Sequence, residues 1–491
     1  SPLAEVITFE RIENVPVRFP CYPLRSDENY LRRTPGLYPD LLVPMSPGKW
    51  LEAPMQGLSS LYVTVKVPET MAAGDYPIEI VLIPETGEEV TASIILTVLN
   101  AVLPPQSLIY TQWLHADCIA NAYDVEIFSE KHWEYIENYI KCAAQNGVNA
   151  ILTPVFTPPL DTEVGGERPT VQLVDVMRDG DGWHFGFRRL HRWLSLCERC
   201  GIRYFEISHF FTQWGAEHAP KIIGTVNGET KKLFGWETDS LSEEYIGFLR
   251  AFLRAFLAEM KSAGLDKRCI FHISDEPDMK HLERYRAVKE KLSDLLDGYF
   301  TADALSDFEF YRTGAVKAPI PSCDHIEPFL EAGIPDLWTY YCCAQCREVS
   351  NRFIAMPSSR TRIIGAQLWK YRIAGFLHWG YNYWYTRFSR RAVDPFVLND
   401  GGSFTPAGDC FSVYPGPDGT PYQSLHMKAF TEALSDLRAM SLAESLCGRE
   451  AVLSALEKDG SITFSRYPRQ ADAAFSLRER VNEMIQAATE S

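Results

Sequence analysis

Two carboxylates stand side by side at Asp275 and Glu276, inside the stretch FHISDEP (271–277). An apolar run from Cys269 to Ile273 leads into them and Pro277 closes them off. Along a regular strand successive side chains point to opposite faces, so adjacent acids serve one site only where a strand ends and the chain turns. Two acids held together repel each other's charge. One then keeps its proton near neutral pH and can act as a general acid beside an ionised neighbour. The bland alternative is a helix start: Ser and Asp cap helices, acids favour the first turn, and Pro is tolerated there.

Other residues with chemical potential fall at the ends of further apolar runs. His115 and Asp117 follow the first, His209 the third, and Asp324 and His325 a later one. Tyr340 and Tyr341 close the seventh, and Trp379, Asn382 and Trp384 the eighth. Carboxylates combined with aromatic platforms suit a site for sugars, because one acid protonates a leaving oxygen and aromatic faces stack on the rings. Ordinary pairs for that chemistry lie roughly 5–10 Å apart across the scissile bond, which adjacent residues do not easily span. Adjacent acids suit a substrate-assisted variant, in which a 2-acetamido oxygen of the sugar is the nucleophile. One carboxylate then orients the amide and the other is the acid.

The elements that must position these residues follow from periodicity. Residues 1–103 read as β, with LYVTVKV (61–67), YPIEIVLI (76–83) and TASIILTVLN (91–100) separated by Pro and Gly signals, as in a β-sandwich. LPP (103–105) marks a boundary. From there apolar runs alternate with amphipathic stretches about eight times, which favours a closed (β/α)8 TIM-like barrel over 104–440. In such barrels catalysis occupies the C-terminal strand ends. Residues 441–491 read as a mostly helical extension, and AVLSALEKDGSITFS (451–465) as one possible strand pair reaching into it. The early strands are not followed by a dinucleotide or phosphate-binding motif.

Composition narrows the partners. A net charge of −16 over 491 residues repels phosphate backbones and anionic membranes, so no nucleic acid is expected. No apolar run approaches 18 residues, so no membrane insertion is expected. Twelve cysteines spread over so long a chain suit a reducing, cytoplasmic setting, although a leader removed ahead of Ser1 stays open. The CxxC pairs Cys197/Cys200 and Cys343/Cys346 lack supporting histidines and read as buried or incidental thiols. RDGDGW (178–183) reads as a turn, without the spaced ligands of a calcium loop. Neither a metal nor a cofactor is expected.

With these residues in hand, the chain resembles glycoside hydrolase family 123, the β-N-acetylgalactosaminidases. The likeness rests on GLYPDLLVPM (36–45), EISHFFTQWGAEHAPKI (206–222), HISDEP (272–277) and LWKYRIAGFLHWGYNYW (368–384), with a weaker echo over 414–437. The resemblance implies an N-terminal β-sandwich, a (β/α)8 catalytic barrel and retaining, substrate-assisted release of terminal β-linked N-acetylgalactosamine. It makes Asp275 the group that orients the acetamide and Glu276 the acid/base. Tyr340 is implied to hydrogen-bond the acetamide, and Trp338, Trp379, Asn382 and Trp384 to line the sugar pocket. One departure is His426 and Lys428 in SLHMKAF, where an arginine-containing segment is implied.

Alternatives stay open at this level. His115, His209 and Trp214 join the substrate-binding candidates, yet His115 with Asp117 could orient neighbours, and His209 with Trp214 could fix a loop. Trp338 and Trp369 could be packing between barrel and helices. The sugar could be another 2-acetamido hexoside such as N-acetylglucosamine, since only the C4 hydroxyl differs. A non-catalytic carbohydrate-binding protein is the third possibility, against which the retained acid pair speaks. The expected partner in each case is a glycan or glycoconjugate, and the oligomeric state is not readable.

Overall fold

The computed structural model describes residues 3–46, 48, 51, 57–180 and 182–490. Its N-terminal part is antiparallel: β1 (Ile7–Val17), β2 (Gly36–Met45) and β3 (Ser60–Val65) pair around a central β1, and β4 (Gly74–Leu82) pairs with β5 (Val90–Val98). These sheets are the N-terminal β layers expected of a sandwich.

The barrel begins with β6 (Ile109–Gln112), followed by α1 (Ala116–Tyr123), α2 (Glu130–Gln145) and β7 (Ala150–Thr153). A hairpin, β8 (Asp175–Asp179) and β9 (Gly182–Gly186), precedes α3 (Arg188–Cys200) and β10 (Tyr204–Ile207). A second hairpin, β11 (Ile222–Val226) and β12 (Glu229–Phe234), precedes α4 (Glu243–Ser262) and β13 (Cys269–Phe271). Then come α5 (Leu282–Glu290), α6 (Ser293–Leu296), β14 (Phe300–Ala304), α7 (Glu309–Arg312) and β15 (Ala318–Ile320). The circuit ends with α8 (Glu327–Glu331), β16 (Trp338–Tyr340), α9 (Ser358–Arg362), α10 (Ile364–Lys370) and β17 (Gly375–His378).

The eight parallel strands run β15-β14-β13-β10-β7-β6-β17-β16. A parallel bridge from Ser322 to Tyr340 joins the two outer strands, so the sheet closes into a (β/α)8 barrel. Strands such as Ala150–Thr153 are buried along their whole length, which is why they appear in the sequence as short apolar runs without alternation. Helix α4 shows the complementary pattern. Ser242 caps its first turn, and Tyr245, Phe248, Leu249, Phe252, Phe256 and Met260 form one buried stripe at helical spacing.

Two segments differ from expectation. The hairpins β8–β9 and β11–β12 assemble into a four-stranded sheet outside the barrel, with the RDGDGW turn between β8 and β9; Asp181 of that turn lies outside the described residues. The 451–465 stretch holds no strand pair: its first part lies in helix α12 (Arg449–Leu456).

The chain returns to its own beginning after the barrel. Strands β18 (Val413–Tyr414) and β19 (Tyr422–Ser424) extend the N-terminal sheet, giving the order β18-β19-β2-β1-β3. Helix α11 (Leu425–Cys447) starts on the same seam, where His426 Nδ1 meets Asp40 Oδ1 at 2.7 Å and Tyr414 donates to Asp40 Oδ2 at 2.6 Å. Lys428 faces Glu10 at 3.6 Å. The unusual His426 and Lys428 therefore tie α11 to the N-terminal strands. Helix α13 (Ala473–Glu490) packs against α11.

Candidate active site

Strand β13 delivers the acid pair, and the turn after it is held by backbone bonds. Ile273 and Ser274 donate their N–H groups to Asp303 Oδ1 at 2.9 and 3.2 Å, and Glu276 donates its own to the Ala304 carbonyl at 3.0 Å. Asp275 accepts at its carbonyl from Trp214 N, 2.9 Å away. Glu276 has φ of +41°, a left-handed conformation that costs a non-glycine residue roughly 1–2 kcal/mol. That turn breaks the strand alternation, so the two neighbouring side chains are not bound to opposite faces.

The two carboxylates are contacted differently. Tyr340, at the end of β16, donates to Glu276 Oε1 at 2.6 Å. Among the described residues no protein donor reaches the carboxylate of Asp275. Burial raises the pKa of both, and at Asp275 the charges of Glu276 and Asp161 raise it further while His272 opposes them. At Glu276 the Tyr340 hydrogen bond is the opposing influence. The rise is stronger at Asp275; the Glu276 side chain is exposed to water in the cleft, although protein surrounds it. The pair thus titrates as one unit with a proton in common.

Asp161, in the loop after β7, is a third acid at this place and was not visible as one in the sequence. Burial and the charge of Glu276 push it up to about 7, against the pull of Arg168. Trp214 stands at the rim, 44% exposed and edge-on to Phe388. Trp379, at the end of β17, donates its indole N–H to Asp409 Oδ2 at 3.2 Å, and Asp409 in turn feels the charge of Asp161.

The remaining candidates lie further back. His115 accepts from Arg168 Nη2 at Nδ1 (3.0 Å) and contacts the Trp379 carbonyl through Nε2 (3.1 Å). Burial and the Arg168 charge lower it to about 3, so it is neutral and donates to that carbonyl. Asp117 binds Arg168 through both oxygens (2.7 and 3.0 Å) and accepts from Tyr385. Asn382 differs from expectation: its amide clasps the backbone N–H and C=O of His115 at 2.8 and 3.0 Å, bolting β17's loop to that of β6. Trp384 is packed into the wall, edge-on to Tyr139 of α2 and bonded to the Val413 carbonyl, because the chain after β17 turns outward towards α2. Trp338 opens β16 two residues before Tyr340, and its ring lies on Phe300 and over Gly375, where a Cβ would come within 2.0 Å. It fills the lower barrel rather than the C-terminal mouth. Asp324 and His325 bond one another at 2.9 Å by the Ser322–Tyr340 bridge, and Tyr341 is buried against Phe376.

His209 lies beneath the pair, stacked on His272 at 4.5 Å and 14°. With Asp303 these two histidines form the one group among the described residues whose ligand atoms approach metal spacing, all within 4.8 Å of one another. Nitrogen and oxygen ligands at about 2.1 Å from an ion are at most about 4 Å apart. The parallel rings and the engagement of His272 Nε2 with Glu206 (2.8 Å) make this a charged core, not a metal cradle.

A family model described as the glycoside hydrolase 123 catalytic domain matches residues 113–443. The chain belongs to glycoside hydrolase family 123. It is therefore a glycoside hydrolase, and the matched span holds both acids, Tyr340 and Trp379. Among solved structures, one of a family 123 glycoside hydrolase from Clostridium perfringens, reported for glycolipid glycan hydrolysis, superposes with a TM-score of 0.74. It is 17% identical, over 99% of this chain and 86% of that one, and so bears on the fold. A putative β-galactosidase from Bacteroides fragilis reaches only 0.36 at 9% identity, over 87% of this chain and 55% of that one. No curated protein matches the chain. Within the family 123 domain the sequence had concealed Arg168, Asp161 and Asp409, because loop residues without a motif carry no periodic signal. Their spacing from a strand end was the one clue available.

Proposed function

We propose that this hydrolase is a retaining exo-β-N-acetylgalactosaminidase that uses the substrate's own acetamide as nucleophile. The observation that carries the reading is the adjacency of the two acids on one turn, with Tyr340 on Glu276 and the Asp275 carboxylate free of protein donors. A free carboxylate beside a protonated one has the donor–acceptor pattern that an acetamide N–H and a glycosidic oxygen require.

In the first step Glu276 gives its proton to the glycosidic oxygen as the bond from that oxygen to C1 breaks. The acetamide oxygen forms a bond to C1 on the opposite face, yielding an oxazolinium ring. Asp275 accepts the amide N–H and balances the positive charge that develops there. In the second step Glu276, now a carboxylate, takes a proton from water; that water attacks C1 and the ring opens with retention. An N–H arriving at Asp275 favours its ionised form, so substrate binding itself drives the common proton to Glu276.

Release of p-nitrophenol from β-GalNAc, β-GlcNAc and β-galactoside substrates tests this directly. Hydrolysis of the first is expected, with the plain galactoside nearly inert and a thiazoline mimic inhibiting far better than the free sugar. Brisk galactoside hydrolysis defeats the proposal. A second reading rests on Asp161, which feels the charge of Glu276 and whose own charge is felt at Asp275. It would make Asp161 a direct nucleophile, and trapping of a 2-fluoro glycosyl group on Asp161 would decide for it.

A further inference from the structure

Under the acid pair the barrel interior is charged where layers of branched apolar side chains are the rule. Glu206 on β10, His272 just after β13 and Asp303 on β14 are at most 1% exposed. Glu206 takes hydrogen bonds from Thr111 Oγ1, from Trp113 Nε1 at 2.6 Å and from His272 Nε2 at 2.8 Å. Asp303 takes the hydroxyl of Tyr285 and the two backbone N–H groups that begin the catalytic turn, and lies 3.7 Å from His272 Nδ1. At that distance the last contact is an ion pair and not a hydrogen bond.

The titratable groups facing the His272 ring are Glu206 from β10, His209 from the following loop, Asp303 from β14 with Tyr285 of α5 behind it, and Asp275 on its own segment. Of these, His209 is held neutral by burial and by the charge of His272. A neutral imidazole at 272 would aim a lone pair at one of two dehydrated carboxylates. Burial alone favours that neutral form, but Asp303 and Glu206 outweigh it and raise the imidazole to about 10. Replacing such a cluster by apolar side chains is often neutral or stabilising, so stability alone gives no reason for it here.

We propose that the His272 imidazolium, clamped between Glu206 and Asp303, is the fixed positive charge that opposes protonation of Asp275, so that an arriving acetamide N–H suffices to ionise Asp275 and move the pair's proton to Glu276. This rests on the substrate-assisted reading above. His272 is a positioning residue: it touches no substrate and acts through Asp275, on which its charge is felt. Asp303 links the two functions, because the carboxylate that holds the imidazolium also pins the turn carrying the acids.

Two measurements test it. In the 15N-histidine-labelled wild-type enzyme, the His272 ring is expected to carry protons on both nitrogens from pH 6 to pH 9. Its signal is the one lost in His272→Gln or, should that variant not fold, the one displaced in Glu206→Gln. A neutral ring at pH 7 overturns the proposal, and this arm needs no substrate, so it is separate from any failure of the proposed reaction. The second arm is the pH profile of kcat/KM with whichever β-glycoside is turned over. The acid limb marks ionisation of Asp275; without the adjacent cation that ionisation is harder. His272→Gln, and the paired His272→Gln/Glu206→Gln variant that keeps the cluster's net charge, are expected to move that limb upward by about one pH unit. Activity lost at low pH should return at higher pH. A uniformly lower rate with an unmoved limb makes His272 merely structural and overturns the proposal.

Discussion

Glu276 and Asp275 differ chiefly in what touches them, and that difference sets the expected behaviour of their variants. If Glu276 supplies the proton, Glu276→Gln should cost orders of magnitude in kcat/KM with poor leaving groups and far less with activated aryl ones, which need little protonation. Equal losses for both would remove Glu276 from the role. Tyr340→Phe makes the opposite kind of change. The tyrosine hydroxyl stabilises the charged form of Glu276 and holds its pKa down against burial. Removing it raises the pKa further, so the basic limb of the pH–rate profile should move to higher pH; a limb that stays or falls refutes that account. The position of the acid pair at the tip of a strand was readable from an apolar run ending in charges. The roles of the tryptophans were not, because Trp379 and Trp384 look alike in a sequence. Only the direction of the chain after β17 separates a residue bound to Asp409 near the site from one packed on Tyr139.

At the level of elements, the loops after β6, β7 and β17 are joined by one buried ion pair. Arg168 and Asp117 are 2.7 Å apart with both side chains almost inaccessible, and Arg168 also bonds His115, which supports the Trp379 carbonyl. Arg168→Met leaves the buried Asp117 without its countercharge, with the Tyr385 hydroxyl still donating to it, and should destabilise the fold by about 3–5 kcal/mol in denaturant unfolding. It should also raise KM more than it lowers kcat, since the Trp379 loop loses its support. A loss under about 1 kcal/mol would mean that water replaces the guanidinium. The barrel's strand–helix alternation was legible because each strand is buried on both faces and each helix on one. The hairpins β8–β9 and β11–β12 were not, because they are short and complete one another only across the 35 residues between Gly186 and Ile222. Residues 451–465 misled for the opposite reason: a short apolar run fits a strand and a helix equally well.

Across the whole molecule, the barrel and the N-terminal strands are not independent bodies. The segment 18–35 between β1 and β2 reaches over the barrel, where Arg360 grips Asp27 at 2.8 Å and Tyr30 donates to the Cys346 carbonyl at 2.6 Å. Burial raises Asp27, but Arg360 and the Glu348 N–H outweigh it and hold the carboxyl below its ordinary range. That stabilisation is present above the unfolded-state pKa and is lost as pH falls through the lower, folded-state value. A chain beginning at residue 104 would lack β2, leaving β19 paired with β18 alone and the buried His426 without Asp40. It is expected to be insoluble or to unfold well below the full chain, as a thermal melt of the two would record. Equal melting temperatures would show a self-sufficient barrel.

The shared sheet also imposes an order in time. More than 350 residues separate Met45 on β2 from Val413 on β18. At roughly 5–20 residues per second of synthesis, the first strands wait some twenty seconds to more than a minute for the strands that cover their edge. During that interval β2 offers a row of unpaired amides and carbonyls to any other nascent chain. Slow-translating or crowded hosts should therefore accumulate aggregates of early, incomplete chains, and a holdase acting on the growing polypeptide should raise the yield of active enzyme.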